Sequence, residues 1–183
     1  MIRHPDVKSL LIESMTELMN KKPIQDISVK EVAENCRVST RSFYNHFKDK
    51  YDLINTIYMG KEKELYSVGF GYSSVSRDSF ISLFTYVAEN QRFYDNACSY
   101  TGQNNLLESI REQGYVRMME CIRAKNGTED VDERLCFAAD MWLRGMKDTV
   151  RIWVGEGCSL SPQELTDRIL YATPECLLAY IPH

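Results

Sequence analysis

The stretch Ile27-Ser28-Val29-Lys30-Glu31-Val32-Ala33-Glu34, followed by Asn35-Cys36-Arg37-Val38-Ser39 and then by Thr40-Arg41-Ser42-Phe43-Tyr44-Asn45-His46-Phe47-Lys48-Asp49-Lys50, decides the fold. Ser28 is placed to cap a helix, Glu31 stands three residues on where it can reach back to the cap, and Ile27 can pack on Val32, so a capping box and a hydrophobic staple coincide. Asn35 to Val38 break the apolar pattern. Ser39 then offers a new cap for a helix running from Thr40 to Phe47, and Asp49 can cap another that starts at Lys50 and continues through Leu53, Ile54, Ile57 and Tyr58 to about Leu65. At about 100° per residue Phe43 and Phe47 share one side of the third helix, while Thr40, Arg41, Tyr44, Asn45 and Lys48 fill the opposite arc. One side packs and the other displays hydrogen-bonding groups.

Upstream, Val7, Leu10, Leu11, Ser14, Met15 and Leu18 recur at helical spacing until Asn20-Lys21-Lys22-Pro23 stops them, with Pro5 suited to the first turn. Two short helices joined by a tight turn and braced by a preceding one have the layout of a helix-turn-helix unit. A major groove accepts such a helix: Arg and Asn offer paired donors or acceptors to guanine and adenine, and Tyr44, Lys48 and Lys50 suit phosphate oxygens.

These residues carry a family resemblance. The run from Ile27 to Glu34, Val38-Ser39, and the aromatic-Tyr-x-His-Phe-x-x-Lys core at 43–50 followed by Leu53 resemble the DNA-binding domain of TetR-family transcriptional regulators. The resemblance covers about residues 5–60. It implies an all-α homodimer whose N-terminal three-helix helix-turn-helix domain, residues 1–48, binds a palindromic double-stranded DNA operator. It further implies that residues 49–183, with helix 50–65 as connector, form a helical bundle for dimerisation and for an unidentified small-molecule effector. Carried over by position, Ser28 and Lys30 meet DNA from the second helix, and Thr40, Arg41, Ser42, Tyr44, His46 and Lys50 from the third and the start of the fourth. His46 sits angularly between the two faces, where a half-buried histidine and a phosphate donor are both open readings. Arg37 departs from the pattern, since the family usually has glycine at that turn. A left-handed backbone there costs a non-glycine residue roughly 1–2 kcal/mol, so either the turn differs or Arg37 offsets the strain by touching phosphate.

Composition agrees with a helical globule. The chain has 183 residues, 44% hydrophobic and 26% charged, with 9 Gly and 5 Pro, too little punctuation for a many-turned β-sandwich. Residues 1–63 carry 11 Lys/Arg against 9 Asp/Glu and residues 64–183 carry 11 against 17, so the net charge of −4 is borne by the second part. The six cysteines show neither C-x-x-C pairing nor zinc spacing with histidine. With no secretory leader after Met1 the expected setting is the cytoplasm, with free thiols. No 18-residue apolar run exists to engage a membrane. No metal, cofactor or catalytic residue is expected, because His4, His46 and His183 form no recognised arrangement with serine or cysteine. Asn126-Gly127 reads as a turn.

Downstream, Phe80, Ile81, Phe84 and Val87 mark one helix, and Leu106, Leu107, Ile110, Gly114, Met118 and Ile122 a longer one. Val68 to Ser74 read as a connection: the two glycines lack a preceding strand and a third glycine, so a dinucleotide loop is excluded. Between Val131 and Trp153 the series Leu135, Ala138, Ala139, Trp142, Met146, Thr149, Val150 and Trp153 follows one helical face, while Phe137, Met141 and Ile152 add a second line. A helix apolar on two sides is covered on two sides. The final segment, Leu165 to Ile181, is amphipathic but interrupted by Pro174, which predicts a break with Thr173 as cap of a last short helix. Tyr115, Met118, Trp142 and Met146, midway along the two longest helices, are the effector-contact candidates, Met and Tyr being adaptable linings for a small-molecule cavity.

The leading expectation is a ligand-responsive repressor. The alternative is a coactivator or adaptor of the same fold that acts through a protein partner, its helix-turn-helix no longer reading DNA.

Overall fold

A computed structural model describes residues 6–67 and 76–181. Among these residues there are ten α-helices and no strand: α1 Val7–Met19, α2 Val29–Asn35, α3 Thr40–Tyr44, α4 Lys50–Ser67, α5 Arg77–Glu89, α6 Gln91–Ser99, α7 Leu106–Asn126, α8 Glu133–Gly155, α9 Pro162–Tyr171 and α10 Glu175–Leu178. A 3₁₀ turn, Ile24–Asp26, lies between α1 and α2. Pro5 and the Val68 to Ser74 connection lie outside the described residues.

The chain divides into two compact units. The first takes the residues up to Gly60 together with Arg92–Leu106. Its core is Leu11, Met15, Ile24, Ile27, Val32, Phe43, Phe47, Leu53 and Ile54, all nearly inaccessible, which explains the periodicity of α1 and the stapling of α2. Ser14, the one polar member of the α1 face, donates its hydroxyl to the Val32 carbonyl at 2.7 Å and accepts from Asn35 Nδ2 at 3.1 Å, so its burial leaves no orphaned oxygen. From the middle of the chain, Phe93, Tyr94, Ala97 and Cys98 of α6 add to the same unit's buried surface. The sequence pattern marks no helix at α6.

The second unit comprises Lys61–Gln91 and Leu107 onward. Here α5 packs on α9, and α8 on α10. Phe84 stacks with Phe80 at 5.8 Å and meets Trp153 edge-on at 5.8 Å, with Trp153 Nε1 donating to the Leu160 carbonyl at 3.0 Å. Gly114 has a packing reason: a Cβ there would come within 2.9 Å of Leu143 Cδ2, so α7 and α8 approach closely at that point. Glu62 is almost buried on α4 and receives both Arg117 amino groups of α7 at 2.9 Å.

Three local expectations require correction. Ser28 caps α2, accepting from the Glu31 N–H at 3.1 Å, but the Glu31 carboxylate takes Lys22 Nζ at 2.6 Å instead of reaching back, so only half of the capping box forms. A charged donor outcompetes a backbone amide for that carboxylate. The third helix closes at Tyr44, short of Phe47. Asp49 Oδ1 caps α4 through the Tyr51 and Asp52 N–H groups at 2.8 Å, while Asp52 accepts from the Lys48 N–H at 2.9 Å, and this reciprocal pair pulls residues 46–49 out of helical path. Thr173 does not cap α10; its hydroxyl donates back to the Ile169 carbonyl at 2.8 Å, and Pro174 occupies the cap position with no side-chain bond. The break at Pro174 itself is present.

Candidate nucleic-acid interface

Ser39 accepts from the Ser42 N–H at 3.0 Å and its hydroxyl lies 2.9 Å from that of Ser42, which starts α3. Phe43 is fully buried, Phe47 nearly so, and their rings lie 5.7 Å apart. That anchor sets the rotation of the helix. Thr40, Arg41, Tyr44, Asn45, His46 and Lys48 are consequently all exposed, and Ser42 is half-buried. His46 is exposed and not half-buried. Tyr44 leans its ring edge-on against Phe43 at 5.5 Å, so its phenol is held although 58% of the residue faces solvent.

The turn before α3 keeps its geometry despite lacking glycine. Arg37 has φ 59, the left-handed region expected at this position. The Val38 N–H reaches the Ala33 carbonyl at 2.9 Å and the Arg37 N–H that of Glu34 at 3.1 Å, the paired bonds of a complete Schellman motif. The departure costs energy without altering shape, and it sets an exposed guanidinium beside α3. Lys30 faces Glu34 at 3.7 Å in an exposed pair, which screening makes weak. Arg37, Arg41 and Lys48 form no ion pair among the described residues, so their charge is available to an incoming anion.

Lys50 is the exception. Its ammonium donates to the Ile24 and Ile27 carbonyls at 2.6 and 2.7 Å, with the Gln25 carbonyl at 3.4 Å. Burial pushes its pKa down, Lys22 adds repulsion, and Asp26 partly offsets both. Lys50, a residue expected to reach phosphate, thus has backbone oxygens as its partners within the chain.

In the second unit, α8 leaves Phe137, Met141 and Ile152 exposed at 71, 54 and 49%, and Tyr171 at the end of α9 is 94% exposed. Between α8 and α9 lies a groove of about 400 Å³ lined by Met141, Trp142, Gly145, Met146, Leu165 and Ile169 among others. A Cβ on Gly145 would meet nothing within 4 Å, so the groove is open there. Of the four effector candidates it gathers Trp142 and Met146. Tyr115 and Met118 lie elsewhere on α7: Met118 is buried, and the half-buried Tyr115 phenol is pushed up by burial and by hydrogen bonding with Cys136. No group of three or more His, Cys, Asp or Glu side chains suited to a metal occurs among the described residues, and no helix there is long and apolar enough to cross a membrane.

Comparisons with known proteins match this geometry at both ends of the chain. A family model described as bacterial regulatory proteins, tetR family, matches residues 11–57, and one described as transcriptional regulator C-terminal region matches residues 76–173. The chain is similar to the HTH-type dhaKLM operon transcriptional activator DhaS of Lactococcus lactis subsp. lactis, with 24% identity over 87 residues, 48% of this chain and 46% of that protein. The matched stretch thus spans about half the length of that relative. Among solved structures, the dihydroxyacetone kinase operon activator DhaS superposes with a TM-score of 0.65 at 20% identity over 95% of each chain. A tetR-family transcriptional regulator from Streptomyces coelicolor gives 0.57 at 16% identity over 94% of this chain and 85% of that one. FadR from Bacillus subtilis, solved in complex with stearoyl-CoA, gives 0.54 at 17% identity over 94% and 98%. At these identities the structural likeness is one of fold.

Proposed function

The chain belongs to the TetR family of transcriptional regulators, and from that premise we propose that it binds a palindromic DNA operator as a homodimer and alters that binding when a small molecule occupies its C-terminal part. The observation that carries the reading is the exposed array Thr40, Arg41, Tyr44 and Asn45 on a helix whose rotation is locked by buried Phe43. In the proposed division, residues 1–48 read DNA and residues 49–183 dimerise and bind effector, with helix 50–65 connecting them.

Arg41 and Asn45 read base edges, where bidentate donors distinguish guanine and adenine. Ser28, Lys30, Arg37, Thr40, Ser42, Tyr44, His46 and Lys48 fix register on phosphate and sugar. The cations are few, so a single unit binds weakly and specificity comes from pairing two units about 34–36 Å apart on successive turns of the duplex. The apolar line Phe137, Met141 and Ile152 supports a dimer face on α8, because exposed apolar side chains on one line of a helix gain by burial against a partner. Trp142 and Met146 support an effector of mostly apolar chemistry, and the stearoyl-CoA complex of FadR shows that protein's version of the fold holding an acyl ligand. The effector acts by preferring a dimer geometry with the wrong half-site spacing, which makes the protein a repressor; a ligand of equal affinity for both geometries would shift nothing. The setting of this reading is the cytoplasm, where cysteine stays a thiol.

A second reading is favoured by the likeness to DhaS, named as an operon transcriptional activator: the chain works through a protein partner without itself reading DNA. The intact turn at Arg37 counts against a degenerate helix-turn-helix. Selection from a randomised double-stranded DNA pool at two salt concentrations separates the two. Enrichment of a palindrome that weakens as salt rises is the expected result. An unenriched pool, with a regulator recovered in pull-down, overturns DNA reading in favour of the partner.

A further inference from the structure

Along α1 the buried residues Leu11, Met15 and Leu18 follow one another at helical spacing, and the next place in that stripe towards the start of the helix is Lys8, three residues before Leu11. Lys8 is exposed, and its ammonium lies 5.9 Å from the centre of the buried Phe47 ring. The aliphatic stem of a lysine set this way covers apolar surface while the charge stays in water. His46 borders the same ring, the two ring centres being 6.4 Å apart. Asp6, the cap of α1, accepts from the Ser9 N–H at 2.7 Å. Hydrogen bonds from Ser9 hold its carboxyl below the usual carboxylate range, and the charges of His46 and then Lys8 add to them, so the three side chains share one neighbourhood. Lys8 forms no ion pair among the described residues. All of these residues belong to the first unit.

We infer that the DNA-contacting surface extends past α2 and α3 onto the first turn of α1, where Lys8 binds a backbone phosphate beside the end of α3. This rests on the reading that α3 enters the major groove. Phosphates line both sides of a groove, so cations before and after the inserted helix fix its register. Arg37 stands before α3, and Lys48 and Lys8 stand near its end. Packing alone does not ask for a charge at this place, because a methionine would cover Phe47 as well. A lysine covers the ring and adds a compact ammonium with three donors, which suits phosphate as a point charge. With no carboxylate to leave, it exchanges only water and counterions on binding. Asp6 works against the contact, since its charge repels an incoming phosphate. Its capping role needs the acceptor oxygen and not the charge, and asparagine supplies that oxygen equally well.

The test uses the full chain and the operator duplex recovered from the randomised pool. Wild type, Lys8→Met, Lys8→Arg, Asp6→Asn and Arg41→Ala are titrated by fluorescence anisotropy across a salt series, with melting temperatures measured alongside. Lys8→Met keeps an unbranched stem over Phe47 and removes the charge. It should melt as wild type does, bind about three- to tenfold more weakly, and lower the salt slope by about 0.9 for each half-site occupied. Lys8→Arg should keep the wild-type slope, and Asp6→Asn should bind about two- to fivefold more tightly. Replacing phosphates one at a time by neutral methylphosphonates then locates the contact: one position should weaken wild type and leave Lys8→Met unaffected. A Lys8→Met chain with the wild-type slope overturns the inference, whether its affinity holds, which removes the contact, or falls, which leaves Lys8 a packing residue. If Arg41→Ala binds as well as wild type, the α3 reading itself has failed; if Arg41→Ala loses binding while Lys8→Met keeps it, only the extension onto α1 has.

Discussion

The outward faces of α3 and α8 are both exposed, yet they are built from opposite chemistry. On α3 the exposed residues are Thr40, Arg41, Tyr44 and Asn45, polar groups that water satisfies until a polar partner replaces it. On α8 they are Phe137, Met141 and Ile152, which water does not satisfy at all. A polar face stands free in water and binds reversibly with strong salt dependence, while exposed apolar side chains gain from being covered. On the proposed function, the polar face is the switchable contact and the apolar one the permanent contact.

The strongest way to break this comparison is to strip the polar face. Arg41→Ala combined with Tyr44→Ala should lower specific operator affinity by more than about a hundredfold, the Arg41 base contact being worth roughly 1–3 kcal/mol in each half-site and the Tyr44 phosphate contact adding to it. Sedimentation should show the oligomer unchanged. Retained affinity in anisotropy titrations would remove α3 from the interface.

Charging the apolar face is the converse. Phe137→Glu with Met141→Glu introduces no buried charge within a monomer, because both residues are exposed. The dimer dissociation constant should rise more than about tenfold, as for anchors at the centre of an interface, with helical content by circular dichroism preserved. An unchanged sedimentation coefficient at low concentration would place the dimer contact elsewhere.

A smaller effect sharpens the role of the turn. Arg37→Gly relieves the left-handed strain at φ 59 and should stabilise the fold by about 1 kcal/mol, a rise of roughly 2–4 °C in melting temperature for a chain of this size. If Arg37 also touches phosphate, the same variant lowers the salt slope of operator binding by about one. A fall in melting temperature would show the guanidinium contributing more than the strain costs.

The smallest effect concerns the charge network joining α7 to α8. Glu108 receives Lys147 at 2.6 Å and Arg111 at 2.9 Å, and hydrogen bonds from these two cations, Lys147 first, hold its carboxyl down at about 2. Its folded value is depressed, so its stabilisation is complete above the ordinary 4.5 and is lost as pH falls from there towards 2. With 42% of the side chain exposed, screening leaves the contribution below about 1 kcal/mol. Glu108→Gln should flatten the acid limb of the melting temperature slightly in that window; an identical limb would mean that the pair contributes nothing measurable.

Much of the site was legible because it is written in local chemistry. Caps at Ser28, Ser39 and Asp49, the phenylalanines one helical turn apart and the break at Pro174 each depend on a few consecutive residues, and the structure places each where the spacing predicts; at Arg37, where the resemblance left two readings open, the backbone is left-handed. What failed did so where two options compete locally. Glu31 took the charged donor Lys22, nine residues back, and Thr173 donated to the Ile169 carbonyl one turn back, in place of the capping bonds the pattern favoured.

The sequence by itself determined an all-α chain, a helix-turn-helix and the face of α3 that points outward, because helical period and caps act over four residues or fewer. Only the tertiary structure decided that residues 92–106 complete the N-terminal unit, that Asn96 and Lys50 bond the backbone between α1 and α2, and that Trp142 and Met146 share a groove with α9. Asn96 lies 72 residues from Ile24 in the chain, and no local rule of spacing reaches that far; a hydrogen bond at that separation exists only once the hydrophobic core has brought the two segments together.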